Sequence, residues 1–397
     1  MKIKALLSIV ALCGLYSLAI AQATAPASAS GKPEVTLYFQ HYWPQTALTV
    51  KELVTPWCEK VSAESQGRMK CLTLPAMSGG GTPAQLVDRV KEGVDDLVLT
   101  VLGYTPGRFP RMEVFELPFM TRNAEAASKA AWEFMNKHAS QEFTGMKVLG
   151  MWVHDEGQIY TRDKAIKTLE DFKGMKMRAP SRETAKLLQA LGGTAVGMPI
   201  TGVTEAITKG TIDGTMVPWD AATSFRIHEA ANIHTETPEG SPALYTIGLM
   251  FAMNEKKYSS LSPELRAVID RNSGAALSAR MGKMWDDSAA PARAKAKAAG
   301  NQFYTLPAPE VARWVEAAKP VQAGWMIDMH KRGIDGRLMF DEAKALLAKY
   351  EAPALKATAG KPFKATAAKP FSPAALEVKA QRVPLSGEAN RPAKKAP

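Results

Sequence analysis

Asp96-Leu-Val-Leu-Thr-Val-Leu102 is a run with hardly a polar break. A strand with one wet face alternates apolar and polar residues. A nearly continuous apolar run belongs instead to a strand buried on both faces, as in a parallel sheet covered by helices. Moving back along the chain, Pro83 to Glu92 reads as a helix and Met69 to Leu74 as a strand. Ala47 to Glu64 is helical by its periodicity, and Val35-Thr-Leu-Tyr-Phe39 is a first strand. Gly67 and the glycine-rich Ser78-Gly-Gly-Gly-Thr82 separate these pieces. Strand, helix, strand, helix, strand demands parallel crossovers and a layered α/β lobe.

Forward of residue 102 the pattern repeats. Lys147 to His154 and Gln158 to Thr161 read as strands crossing out of the first lobe. A short helix at Leu169 to Gly174, a strand at Met175 to Ala179 and a helix at Ser181 to Leu191 follow. Val196 to Pro199 is a strand, Gly202 to Lys209 a helix ended by Gly210, and Gly214 to Pro218 a strand. This is a second α/β unit. Leu244 to Asn254 is a long apolar strand. Ser262-Pro-Glu-Leu265 then opens a helix with an N-cap serine and a proline in its first turn. From there to Gly300 breakers are almost absent, which predicts one long helix running across both lobes.

The two ends are of another kind. Lys2 and Lys4 precede an apolar run from Ala5 to Ile20 that closes on Ala19-Ile-Ala21, the layout of a secretory signal cleaved after about Ala21. The run is shorter than the ~20 residues a membrane-spanning helix needs. Residues 22–32 form an Ala/Ser/Thr/Pro linker, and 351–397 an Ala/Lys/Pro-rich basic tail expected to be disordered. Of the formal charge of +11, two come from Lys2 and Lys4. A further six come from the tail, with nine Lys and Arg against three Glu. The body is left near +3, which argues against nucleic acid as a partner. Export exposes Cys58 and Cys71 to an oxidising compartment. They either form a disulfide or stay as two buried thiols.

Catalytic constellations are missing. Asp155 and Glu156 are adjacent carboxylates, but neighbours on a strand point to opposite faces, so a hinge or the surface is the expected place for them. Ser78–Thr82 lacks the Lys-Ser/Thr ending of a phosphate-binding loop. No Gly-x-Ser-x-Gly occurs, and His154, His228 and His234 belong to no triad motif. Neither catalysis, a cofactor nor a metal is expected.

Several motifs in order resemble one family. They are Glu64-Ser-Gln-Gly67, Val90-Lys-Glu-Gly-Val-Asp95, Pro110 with Glu116-Leu-Pro-Phe119, and Asp171-Phe-Lys-Gly-Met-Lys-Met-Arg-Ala-Pro180. Leu191-Gly-Gly, Lys209-Gly-Thr-Ile-Asp-Gly214, Met253-Asn254 and Leu261-Ser-Pro-Glu264 continue the series. Across residues 33–345 the chain resembles the solute-binding subunits of TRAP transporters, the DctP-like family. The resemblance implies a periplasmic protein with an α/β fold. Its two periplasmic-binding-protein-like lobes would be joined by crossing strands and a long helix, and would close on a small organic carboxylate. Lobe I would comprise 33–155 with 245–283, and lobe II 156–244 with 284–350. The partners would be TRAP membrane subunits. A monomer is expected, with a dimer as the alternative. A periplasmic sensor showing the same ligand to a signalling receptor would have the same lobes.

The resemblance places the ligand arginine at Arg178, whose planar guanidinium can give a carboxylate two parallel charge-assisted hydrogen bonds. Sialic-acid-binding members have a second arginine where this chain aligns Gln158. Members that hold a metal use an acidic residue where it has Met216 and Val217. Both departures point away from a second anionic group and from a metal. Tyr104 at the exit of the Asp96–Leu102 strand, His41, Tyr42 and Trp43 after the first strand, and Trp219 after Val217 supply apolar and aromatic walls. These suit a monocarboxylate with an apolar or aromatic body.

Overall fold

The computed structural model describes residues 32–357; the export signal, nearly all of the linker and most of the tail lie outside them. β1 (Val35–His41) enters the first lobe. A π-turn at Val50–Val54 leads into α1 (Thr55–Glu64), and β2 (Met69–Leu74) returns parallel to β1. Cys58 on α1 and Cys71 on β2 are joined as a disulfide, with Cα atoms 5.7 Å apart, which ties that helix to its strand. After α2 (Leu86–Glu92), β3 (Leu97–Val101) lies parallel to β1 on its other side, and every residue of it is buried. α3 (Ala124–Phe134) and β4 (Met146–Val153) complete this passage.

Residues 154–157 carry the chain into the second lobe. There it forms β5 (Gln158–Thr161), β6 (Lys176–Ala179), α4 (Arg182–Ala190), β7 (Thr194–Gly197), α5 (Val203–Thr208) and β8 (Gly214–Val217). α6 (Trp219–Ser224), α7 (Ile227–Ala230) and β9 (Ile233–Glu236) follow. β10 (Gly248–Asn254) then returns to the first sheet, antiparallel between β3 and β4. It starts four residues later than the apolar run that announced it. The first sheet has the order β2-β1-β3-β10-β4. The second, which takes in β11 (Gln302–Thr305), has the order β11-β9-β5-β8-β6-β7.

The helix expected from 263 to 300 is two helices. After α8 (Glu255–Ser260), α9 (Pro263–Arg271) opens on the Ser262 cap, whose Oγ accepts from Leu265 N at 3.4 Å. The chain breaks at Asn272–Gly274, where Gly274 has φ +89°, a conformation that opposes helix propagation. α10 (Ala275–Ala298) resumes for 24 residues, about 36 Å at the helical rise. It packs on α3 and β4 of the first lobe and on α6 of the second. The long helix linking the lobes therefore exists, but it begins after the break.

α11 (Ala308–Lys331) packs on α4, and its Trp325 Nε1–H reaches back to Pro110 O at 3.1 Å. α12 (Gly336–Ala357), expected in the second lobe, lies against α3 of the first. Lys349 Nζ meets Glu133 at 2.7 Å and Lys137 Nζ meets Glu342 at 2.8 Å. This helix runs through position 351, the expected start of the tail, and buried Glu351 accepts from Arg122 N at 2.9 Å. Packing against α3 gives residues 351–357 an ordered setting that their composition alone does not announce.

Candidate functional site

β6 puts Arg178 at the centre of the second sheet, paired to Thr215 of β8 and Val196 of β7. Its side chain is 2 % exposed. Nε–H donates to Met198 O at 2.9 Å and Nη1–H to Met216 O at 3.2 Å. Both partners are neutral carbonyls, and no carboxylate hydrogen-bonds to the guanidinium among the described residues. These two bonds use part of its five-donor fork and set its plane. The cation is thus buried, oriented and not neutralised, a costly arrangement in the absence of an anion.

A cavity of about 40 Å³ opens in front of it. One water needs roughly 10–15 Å³ on the same measure, so the space suits a compact molecule. The first lobe contributes Tyr42, Trp43, Val101 and Tyr104; the second contributes Arg178, Pro180, Ile200, Val217, Pro218, Ala221 and Phe225. The strand connections and α10 add His154, Tyr245, Ile247, Leu249 and Trp285. Tyr42 stacks on Trp43 with centroids 3.8 Å apart and stands 5.5 Å from Tyr104 and 6.1 Å from Phe225 across the lobes. The Tyr104 hydroxyl accepts from Ile200 N at 3.0 Å, another inter-lobe contact. At the rim, Arg182 of α4 grips Glu113 of the first lobe through two hydrogen bonds, Nε–H to Oε1 at 2.7 Å and Nη2–H to Oε2.

Burial controls the charge states. It pushes His154 down to about 4, with nearby Arg178 acting in the same direction, and drives the phenols of Tyr42 and Tyr245 upward. The only strong positive charge lining the cavity at neutral pH is therefore Arg178.

Of the residues singled out by sequence, Arg178, Tyr42, Trp43, Tyr104 and Val217 meet at the cavity. His41 does not. Two positions on from Phe39, it shares that residue's face of β1 and packs 6.0 Å from its ring in the first-lobe core, where burial pushes it down to about 4. Gln158 pairs with Val217 but stays out of the lining, with its amide beside the Glu156 carboxyl. Trp219 begins α6, and the helical phase that turns Pro218, Ala221 and Phe225 to the cavity turns it away. It packs instead with Tyr160, His234 and Phe303, at 5.2, 5.1 and 5.6 Å. Asp155 and Glu156 lie in the connection between the sheets, and Asp155 is buried. The Ser78–Thr82 loop is braced by Gln40 and Arg89, which donate to Gly80 O and Gly79 O. His154, Phe225, Tyr245 and Trp285 join the cavity without a motif to announce them.

Two α/β lobes, strands crossing between them, a bridging helix and an enclosed cation define a ligand-binding clamp. The chain belongs to family 7 of the bacterial extracellular solute-binding proteins, the DctP family, whose profile matches residues 39–327. A TRAP solute-binding protein from Rhodoferax ferrireducens, solved with copurified benzoate, is 44% identical with a TM-score of 0.79, covering 81% of this chain and 99% of its own. A marine-metagenome TRAP solute-binding protein from an unidentified microbe, described as specific for aromatic acid ligands and solved with 3-hydroxybenzoate, is also 44% identical. Its TM-score is 0.79, over 81% of this chain and 100% of its own. A TRAP periplasmic solute-binding protein from Bordetella bronchiseptica with bound mandelate is 26% identical, TM-score 0.73, over 79% and 99%.

Proposed function

We propose that this chain is the extracytoplasmic subunit of a TRAP-type transporter, exported by residues 1–21, and that it captures an aromatic monocarboxylate for delivery to membrane subunits. The observation that carries this reading is Arg178, a buried guanidinium with only carbonyl partners facing an aromatic cavity. The ligand carboxylate supplies the missing anion, and enclosure between the lobes strengthens the pair by lowering the local dielectric. Tyr42, Trp43, Tyr104 and Phe225 take the ring. The aromatic acids bound by the three solved relatives support the same ligand class.

A thermal-shift panel tests it. Benzoate, hydroxybenzoates and mandelate should raise the melting temperature, by the equivalent of about 2.7 kcal/mol at a hundred times Kd. C4-dicarboxylates and sugar acids should not. Stabilisation by the second group alone would overturn the reading. In Arg178→Ala the aromatic acids should lose about 2–5 kcal/mol of binding. Retained affinity there would remove Arg178 from the central role.

A further inference from the structure

Arg178 accounts for the anionic end of a ligand and leaves one polar group of the cavity without a task. His154 follows directly on β4, is 5 % exposed, and its ring lines the cavity. Nδ1 is in hydrogen-bond contact with Asp155 O. A carbonyl only accepts, so Nδ1 carries the hydrogen, and the neutral ring keeps a lone pair on Nε2. Nε2 has no hydrogen-bond partner among the described residues. The ring is held in place. Tyr245 meets it edge-on at 5.3 Å and 77°, and Trp285 stands 6.0 Å away. Tyr245 is in turn seated over Gly157, where a Cβ would come within 1.9 Å of the phenol ring. The cavity therefore combines one fixed cationic donor with one fixed neutral acceptor, and the rest of its wall is largely apolar.

We propose that His154 Nε2 accepts a hydrogen bond from a hydroxyl carried by the ligand's aromatic body, so that the site ranks hydroxy-substituted aromatic carboxylates above the unsubstituted acid. This rests on the aromatic-monocarboxylate reading above. An unsubstituted ring displaces water from Nε2 and leaves a buried acceptor unpaired, whereas a hydroxyl in reach restores the bond. A site built to hydrogen-bond a hydroxyl discriminates against the analogue lacking it for this reason. Burial and the Arg178 charge keep the ring neutral near pH 7, so Nε2 remains an acceptor there.

The test is isothermal titration of benzoate and its 2-, 3- and 4-hydroxy derivatives into wild type, His154→Phe, His154→Leu and His154→Gln at pH 7.5. In wild type at least one hydroxy isomer should bind about tenfold more tightly than benzoate. That ratio should fall to about one in the Phe and Leu variants and return in part in the Gln variant, whose amide oxygen is again an acceptor. The proposal is overturned if no isomer outbinds benzoate in wild type, or if the ratio survives in the apolar variants. A surviving ratio with all affinities reduced would assign His154 to the carboxylate instead. If benzoate and all three isomers fail to bind wild type, the ligand reading itself falls, and this proposal with it.

Discussion

A guanidinium held by two carbonyls and sealed from water is an incomplete contact, and Arg178 is in that state. Its role was legible from the motif around it because strand β6 and its flanking short helix are local features of the chain. The neighbours were legible only in part. His41 and Trp219 are aromatic and close in sequence to cavity residues, yet strand alternation turns one into the first-lobe core and helical phase turns the other into a second-lobe cluster. His154, Tyr245 and Trp285 come from three distant segments, and no local pattern could assemble them. Glu116 is another residue whose state depends on the whole fold. It is 2 % exposed, its Oε2 has no partner among the described residues, and burial, helped by nearby Glu113, pushes it up to about 8. Folded, it keeps its proton until about pH 8; unfolded, it ionises above its ordinary 4.5. Stability from this group is thus full below pH 4.5 and lost as pH rises toward 8. Glu116→Gln removes that dependence. The melting temperature of the variant relative to wild type should climb steadily between pH 5 and pH 8.5, and a flat difference would show that Glu116 ionises normally in the fold.

At the scale of elements, the contact between α4 and the Met112–Glu116 segment is where the lobes meet at the rim. Arg182 and Glu113 form it, with side chains 23 % and 7 % exposed. Water screens part of this pair, so losing it should cost the closed form about 1–2 kcal/mol rather than the several of a fully buried pair. Arg182→Ala should raise the ligand dissociation rate roughly five- to thirtyfold and barely alter the association rate. Stopped-flow measurement with benzoate checks this, and an unchanged dissociation rate would mean that the contact is no latch. Element boundaries were the least legible part of the chain. The α9–α10 break was hidden because Asn272, Ser273 and Gly274 are each tolerable near a helix, and only the positive φ of Gly274 reveals the stop. The strands of both parallel cores were plain, because burial on both faces leaves an apolar run that no surface segment needs.

The whole molecule is two sheets that share one ligand. Lobe I supplies the aromatic wall, lobe II the cation, and the strand connections with α10 supply the floor between them. Binding and closure are linked in such an arrangement. The carboxylate relieves the charge of one lobe while the ring fills space against the other, so neither lobe alone makes the full set of contacts. That division of labour was readable from the order of elements, whereas the placement of α12 against α3 was not, since its composition suits either lobe. The measurement that tests the central claim most directly is a crystal structure of the protein with benzoate. The carboxylate should sit within about 3 Å of the Arg178 guanidinium, with the ring between the Tyr42–Trp43 pair and Phe225. A carboxylate bound elsewhere, or an Arg178 turned to an acidic side chain of the protein with benzoate absent from the cavity, would contradict the account.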